Sequence, residues 1–251
     1  MSYLSKLLPM GYFWGTRIEG NSWTFHLAFE WFPALMVTLL FSGLPWSMSI
    51  ALTFANYLAF ICVYECGYVC NDYFTTRHEE LSRTRGSEKW HWSQVVLLIV
   101  IRLLVFGWLA HHLGKAQDYA WLGFFAFLAL VFTLHNQKMG TELKLITFAW
   151  LSLMRFVAPC LFLLPSHYRF PLIVSGLLFY TGFRSLAYLD SKGALRLPGR
   201  RSWQFRISYF VSILPLSLAL QGYAGARILL ILGIYFSVLA ILGARRVAAH
   251  Q

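Results

Sequence analysis

A chain of 251 residues that is 58% hydrophobic and 12% charged, with mean hydropathy +0.58, has too few charges to coat a soluble globule, whose surface chemistry normally takes about 25%. The net charge of +11 invites a nucleic-acid reading, but the basic residues follow a membrane topology instead of forming one basic face. Apolar runs of roughly 18 to 25 residues without period-two alternation are the length a helix needs to cross a ~30 Å hydrocarbon core. There the backbone must satisfy its own hydrogen bonds, so helices are the spanning form.

In chain order, the first twenty residues carry Lys6, Arg17 and Glu19 among aromatics, with no small-residue cleavage site after an apolar core. They read as an interfacial segment rather than a removed leader. Spans are predicted at 24–42, 46–70, 92–113, 119–135, 143–164, 170–190, 203–221 and 224–244. The fold class is therefore all-α, a polytopic membrane bundle of about eight transmembrane helices in two four-helix halves, with 1–251 as one domain. Of the 21 Lys and Arg, fifteen fall at the termini or in loops 2–3, 4–5 and 6–7, the span ends being taken as fuzzy by a few residues. Lys115, Arg169 and Arg227 lie on the other side, and Arg102, Arg155 and Arg184 lie within or at the ends of spans. The positive-inside rule then places both termini in the cytoplasm of a multi-pass cell-membrane protein.

Cys62, Cys66 and Cys70 share one face of the second span. A soft metal site would need a His or further Cys at that spacing, so the stripe reads as small residues at a helix contact. Glu30, Glu65, Arg102 and Arg155 lie inside spans, where ionisable groups are costly and default to functional candidates. Opposite-charge pairing, for example Glu30 with Arg155, is the structural alternative. Glu65 lies two turns before Asp72 on the same face and is expected to line the interior beneath it. His111 and His112 are expected at the interface.

The second span closes with Tyr64-Glu65-Cys66-Gly67-Tyr68-Val69-Cys70-Asn71-Asp72 and runs into a loop dense in both charge signs. Asn71, Asp72 and Glu79 offer oxygens of the kind that hold Mg²⁺ beside a phosphorylated substrate. Arg77, Arg83, Arg85 and Lys89 supply cations for its phosphate oxygens. A solvated loop with ordinary positive-inside residues is the competing reading, and composition leaves both open. The sixth span repeats the pattern with Arg184, Tyr188 and Asp190, followed by Lys192, Arg196, Arg200 and Arg201, and loop 4–5 adds Asn136, Lys138, Glu142 and Lys144. Three polar loops at the mouth of one bundle suit an anionic substrate. Asp72, read as a loop cap, is expected to tolerate Asp72→Asn without loss of fold.

Asn71-Asp72 at the end of helix 2, with Glu79 seven residues on, resembles the first motif of the UbiA-type intramembrane prenyltransferase superfamily, Asn-Asp-x-x-Asp-x-x-x-Asp. Thr75 stands for the second acid, only Asp190 follows helix 6, and eight spans replace the usual nine. Arg184 and Tyr188 are similar to the basic-tyrosyl stretch of the decaprenyl-phosphate phosphoribosyltransferase branch. The segment from Tyr64 to Asp72 resembles small UbiA-like proteins of polysaccharide biosynthesis. The resemblance implies a Mg²⁺-dependent transferase moving a 5-phosphoribosyl group from phosphoribosyl diphosphate to a polyprenyl phosphate lipid, for cell-envelope polysaccharide. It implies Asp72, Glu79 and Asp190 as catalytic acids, with Asp72, Asn71 and Glu79 at the metal and Asp190 across the cavity. Substrate phosphates fall to Arg77, Arg83, Arg85, Lys138, Lys144, Arg184, Tyr188 and Lys192, with Asn71. A prenyltransferase using a prenyl diphosphate and an aromatic acceptor, and a catalytically inactive scaffold subunit, are the alternatives.

The charge asymmetry makes the topology testable. Single cysteines placed in loop 2–3 are expected to resist an impermeant thiol reagent on intact cells and to react once the membrane is permeabilised; labelling from outside would reverse the orientation.

Overall fold

The computed structural model describes residues 3–18, 22–75 and 90–248. In chain order its helices are α1 (Tyr3–Leu7), α2 (Gly11–Arg17), α3 (Ser22–His26), α4 (Phe32–Phe41), α5 (Trp46–Cys70), α6 (Trp92–His112), α7 (Tyr119–His135), α8 (Thr141–Val157), α9 (Ser166–Ser175), α10 (Phe183–Ser191), α11 (Trp203–Ala219) and α12 (Arg227–Ala248). Three π-helical segments interrupt or extend them. Leu27–Trp31 joins α3 to α4, Asn71–Thr75 prolongs α5, and Gly176–Gly182 joins α9 to α10. No strand occurs among the described residues.

Among the described residues, five stretches are long and apolar enough to cross a membrane: Trp23–Phe41, Trp46–Phe74, Trp92–His112, Ser166–Ser191 and Arg227–Ala244. Helices α7, α8 and α11 have 17 residues each, about 26 Å of rise, the lower limit for a crossing. The chain is an all-α polytopic membrane protein. The expected span 143–164 ends early, at Val157, because Pro159 disfavours a helical residue before it and supplies no N–H. Its neighbour begins early, at Ser166, directly after Pro165.

The chain gathers into two compact units, Met1–Leu27 with Ala51–Gly140, and Ala28–Ile50 with Thr141–Gln251. Their membership differs from an equal split of eight helices, because α4 belongs with the later helices. The first unit builds on α5, α6 and α7. Tyr12 from α2, Val69 from α5, and Val95 and Leu98 from α6 form one buried cluster. Gly67 lets α7 lie flat on α5: a Cβ there would fall 2.3 Å from the Phe132 ring, and Asn136 Nδ2 donates to the Gly67 carbonyl at 3.1 Å. Buried Trp121 stacks on Phe106 and donates its indole N–H to Asn56 Oδ1 at 3.1 Å.

The second unit is centred on Phe236 of α12, which stacks against Phe179 and Phe210 at 5.9 and 5.5 Å. The π segment there shifts the hydrogen-bond ladder, and the Leu178 carbonyl accepts from Tyr209 Oη at 2.7 Å. Tyr235 Oη reaches the Ala28 carbonyl at 2.6 Å and ties α12 to the first π segment.

Asp118 caps α7, accepting from the Trp121 N–H at 3.1 Å and from Lys115 Nζ at 2.8 Å. The Lys115 hydrogen bond, then that of Trp121, holds its carboxyl below the ordinary value. A carboxyl depressed by folding contributes stability above its unfolded pKa, about 3.9, and loses it as pH falls through the lower folded value. Asp118→Ala should lower stability by about 1 kcal/mol at pH 7. Thermal melts in detergent should show that deficit shrinking below about pH 4; a deficit constant with pH would contradict the assignment.

Candidate functional site

The first polar cluster is made by the N-terminal residues, which do not lie along an interface as expected. They fold into a helical hairpin that enters the first unit and returns. α1 starts beside Trp90 and Gln94: Tyr3 Oη donates to the Gln94 carbonyl at 3.2 Å, and the Tyr3 and Trp90 rings meet edge to face at 5.0 Å. It ends at Arg102, which donates to the carbonyls of Lys6, Leu7 and Leu8 at 2.9, 2.5 and 2.7 Å. Arg102 lies eight residues beyond Gln94 on α6, about 12 Å further along the helix. The chain reverses at Met10, which adopts the left-handed conformation with φ 68°. Gly11 permits the tight return, since a Cβ there would sit 2.0 Å from the Ser5 carbonyl oxygen.

Glu65 holds the other half of the hairpin. Its Oε1 accepts from the Phe13 N–H at 2.6 Å, and its Oε2 accepts from Arg102 Nε. Both Glu65 and Arg102 are fully buried. The arginine meets the carbonyls at the C-terminus of α1, and the glutamate meets the Phe13 N–H in the first turn of α2. Each charge therefore satisfies backbone groups that short helices leave unpaired.

α2 then climbs about two turns to the level of Asp72. Tyr12 Oη donates to Asp72 Oδ2 at 2.8 Å, Arg17 Nη2 donates to Oδ1 and Oδ2 at 2.7 and 2.9 Å, and Asn71 Nδ2 lies 3.3 Å from Oδ1. The Arg17 guanidinium lies 4.2 Å above the Tyr68 ring. Burial opposes the Arg17 charge, but Tyr68, Asp72 and Tyr12 outweigh it and raise its pKa above the ordinary value. Asp72 is 2% exposed. Its expected tolerance of Asp72→Asn therefore does not hold, because the change would strand a nearly buried guanidinium without its counter-ion.

Both oxygens of Asp72 are engaged by Arg17 and Tyr12, and Asn71 presents its amide nitrogen to the same carboxylate. No group of three His, Cys, Asp or Glu suited to a metal occurs among the described residues. These residues alone do not fit a Mg²⁺ site. Glu79, Arg77, Arg83 and Arg85 lie outside the described residues.

A second cluster lies in the second unit. Glu30, 1% exposed, accepts from Arg155 Nε at 2.9 Å through Oε2, and from Tyr180 Oη and Arg184 Nη1 through Oε1, the latter at 3.3 Å. The pairing of Glu30 with Arg155 is the one anticipated from sequence. Arg184 also donates to Tyr180 Oη, and its guanidinium lies 5.5 Å from the Phe148 ring centre. Phe148 stacks on Tyr188 at 4.5 Å, and Lys192 Nζ lies 5.9 Å from the Tyr188 ring. A graded series results: Glu30 and Arg155 are buried, Arg184 is 23% exposed, and Lys192 is at the surface.

The remaining expected residues are placed differently. Asp190 is engaged locally, accepting from the Leu197 N–H at 2.9 Å and from Arg200 Nε, so it organises the 192–200 turn. Lys138 is exposed and Lys144 half-buried. Sequence reasoning missed Tyr12, Arg17 and Tyr180. Arg17 carried a signal, as a lone cation in an aromatic-rich terminal segment, but nothing local to it names Asp72 as partner. The chain matches none of the family models, curated proteins or solved structures compared with it.

Proposed function

We propose that the protein is a membrane-embedded transferase that moves a 5-phosphoribosyl group from phosphoribosyl diphosphate to a polyprenyl phosphate, with the charged rim on the cytoplasmic side. The observation that carries this reading is Arg184, fixed on Glu30 and Tyr180 and flanked by Phe148, Tyr188 and Lys192. An arginine held in place from behind presents its fork to phosphate oxygens with less ordering cost than a mobile one. Among the described residues Arg155 and Arg184 pair with the single carboxylate of Glu30, and Lys192 stands beyond them, a donor set suited to a substrate pair with several phosphates.

In the proposed reaction the ribosyl C1–O bond breaks and its electron pair leaves with diphosphate. A lone pair of the acceptor phosphate oxygen forms the new bond to C1. Arg184 and Lys192 would neutralise the donor 5-phosphate or the acceptor phosphate, and the aromatic walls would exclude water from the developing oxocarbenium centre. The acceptor phosphate is its own nucleophile, so no strong general base is required. The resemblance implies Mg²⁺, and no step here is routed through it.

A specific observation favours a second reading, an inactive scaffold subunit: Asp72 is already paired with Arg17 and Tyr12. One assay separates the readings. Purified protein with Mg²⁺, labelled phosphoribosyl diphosphate and polyprenyl phosphate should pass label into the lipid fraction. Arg184→Ala should slow transfer roughly ten- to hundredfold, the range for one charge-assisted bond. Prenylation of an aromatic acceptor without ribosyl transfer would establish the prenyltransferase alternative. Transfer from neither donor, with a partner protein still bound, would establish the scaffold.

A further inference from the structure

The carboxylate of Asp72 is filled from within the chain. A carboxylate offers about four lone-pair positions. Arg17 Nη2 takes one on each oxygen, at 2.7 and 2.9 Å. Tyr12 Oη takes the second on Oδ2 at 2.8 Å, and the Asn71 amide lies 3.3 Å from Oδ1. A divalent ion needs one of these positions at about 2.1 Å, and Mg²⁺ also keeps several of its waters. Arg17 and Asp72 are 8% and 2% exposed, which leaves little space for such waters. A guanidinium is weakly hydrated and loses less in the same place.

Arg17 is also held where it stands. Its guanidinium lies 4.2 Å from the Tyr68 ring centre. Tyr12 meets Trp90 edge to face at 5.6 Å, and Phe13 lies parallel to Tyr68 at 6.5 Å. One turn before Arg17, the Phe13 N–H is fixed on Glu65 at 2.6 Å. α2 is thus pinned at both ends to side chains of α5 and of the π segment that prolongs it, so the cation it delivers is a fixed part of the fold. The charges of Arg17 and Asp72 cancel, and a metal ion would arrive at a neutral pair. It would stand about 4 Å from the guanidinium, where like charges repel strongly at the dielectric of a protein edge. Asp190, the acid expected to work with Asp72, is likewise satisfied by this chain, through the Leu197 N–H and Arg200.

We infer that Arg17 is the resident cation of Asp72, filling with a side chain the place a divalent ion would take, and that its loss uncovers a divalent-cation site on the Asp72 carboxylate. In the unaltered chain that site is latent and Asp72 carries no metal. The inference concerns the chain without substrates and holds whichever reading of the transfer chemistry is right.

Mn²⁺, which suits the same oxygen ligands as Mg²⁺, tests it on the full chain in detergent, with the free ion followed by electron paramagnetic resonance. Arg17→Gln, which keeps a donor near Asp72 without the charge, should tighten Mn²⁺ binding at least about tenfold, because the like charge is gone. Adding Asp72→Asn to Arg17→Gln should cancel that gain, and Arg17→Lys, which keeps the charge, should show none. No gain in Arg17→Gln, a gain that survives Asp72→Asn, or an equal gain in Arg17→Lys would overturn the inference. The unaltered chain gives a second measurement that needs no variant to fold. With 3-fluorotyrosine in place of Tyr68, whose ring lies against Arg17, the fluorine resonance should stay sharp when Mn²⁺ is added. Broadening that a chelator reverses would put the metal beside Arg17 and overturn the inference.

Discussion

Arg102 stands at the middle of α6, far from either end of a 21-residue apolar helix, where an unmatched charge is expensive to keep. Glu65 on α5 answers that charge, but one carboxylate cannot use all the donors of a guanidinium. The remaining donors go to the backbone carbonyls of Lys6, Leu7 and Leu8. The other oxygen of Glu65 goes to the N–H group of Phe13. Irregular backbone is tolerated at membrane depth only when protein satisfies it, and this pair supplies both the acceptor and the donors a helical hairpin needs. Removing either partner would leave the other charge buried, at about 3–5 kcal/mol. The placement of Tyr12 and Arg17 on Asp72 depends on this clamp.

The second unit uses the same economy of charge around Glu30, without a hairpin. In both units the polar group sits where a helix changes its winding. Glu30 lies in the π segment Leu27–Trp31, Asp72 in Asn71–Thr75 and Tyr180 in Gly176–Gly182. A π turn inserts one residue into the helical register, re-aims the side chains around it and frees a carbonyl, and such turns concentrate at functional sites. In the third segment the Leu178 carbonyl accepts from Tyr209. The two acids and the tyrosine thereby reach partners that an unbroken 3.6-residue repeat would have turned elsewhere.

The helices were legible because run length and hydropathy are local properties, and Pro159 and Pro165 were visible signs of the shorter α8 and the earlier start of α9. Glu30, Glu65, Arg102 and Arg155 were legible as costly charges, and one pairing among them followed from complementarity. The hairpin was not legible. Helices of five and seven residues are too short to carry an amphipathic period or to be stable alone, and what stabilises them lies 50 to 100 positions away in sequence. Asp190 illustrates the converse: its place after helix 6 suggested chemistry, while its actual partners, Leu197 and Arg200, lie within ten residues.

Amide hydrogen exchange across residues 10–17 of the membrane-embedded chain tests the clamp most directly. The Phe13 amide should be protected as strongly as those in the middle of α5 and α6, and should lose that protection in Arg102→Leu while α5 and α6 stay protected. Exchange of the Phe13 amide at the rate of an unstructured peptide in the unaltered chain would contradict the clamp.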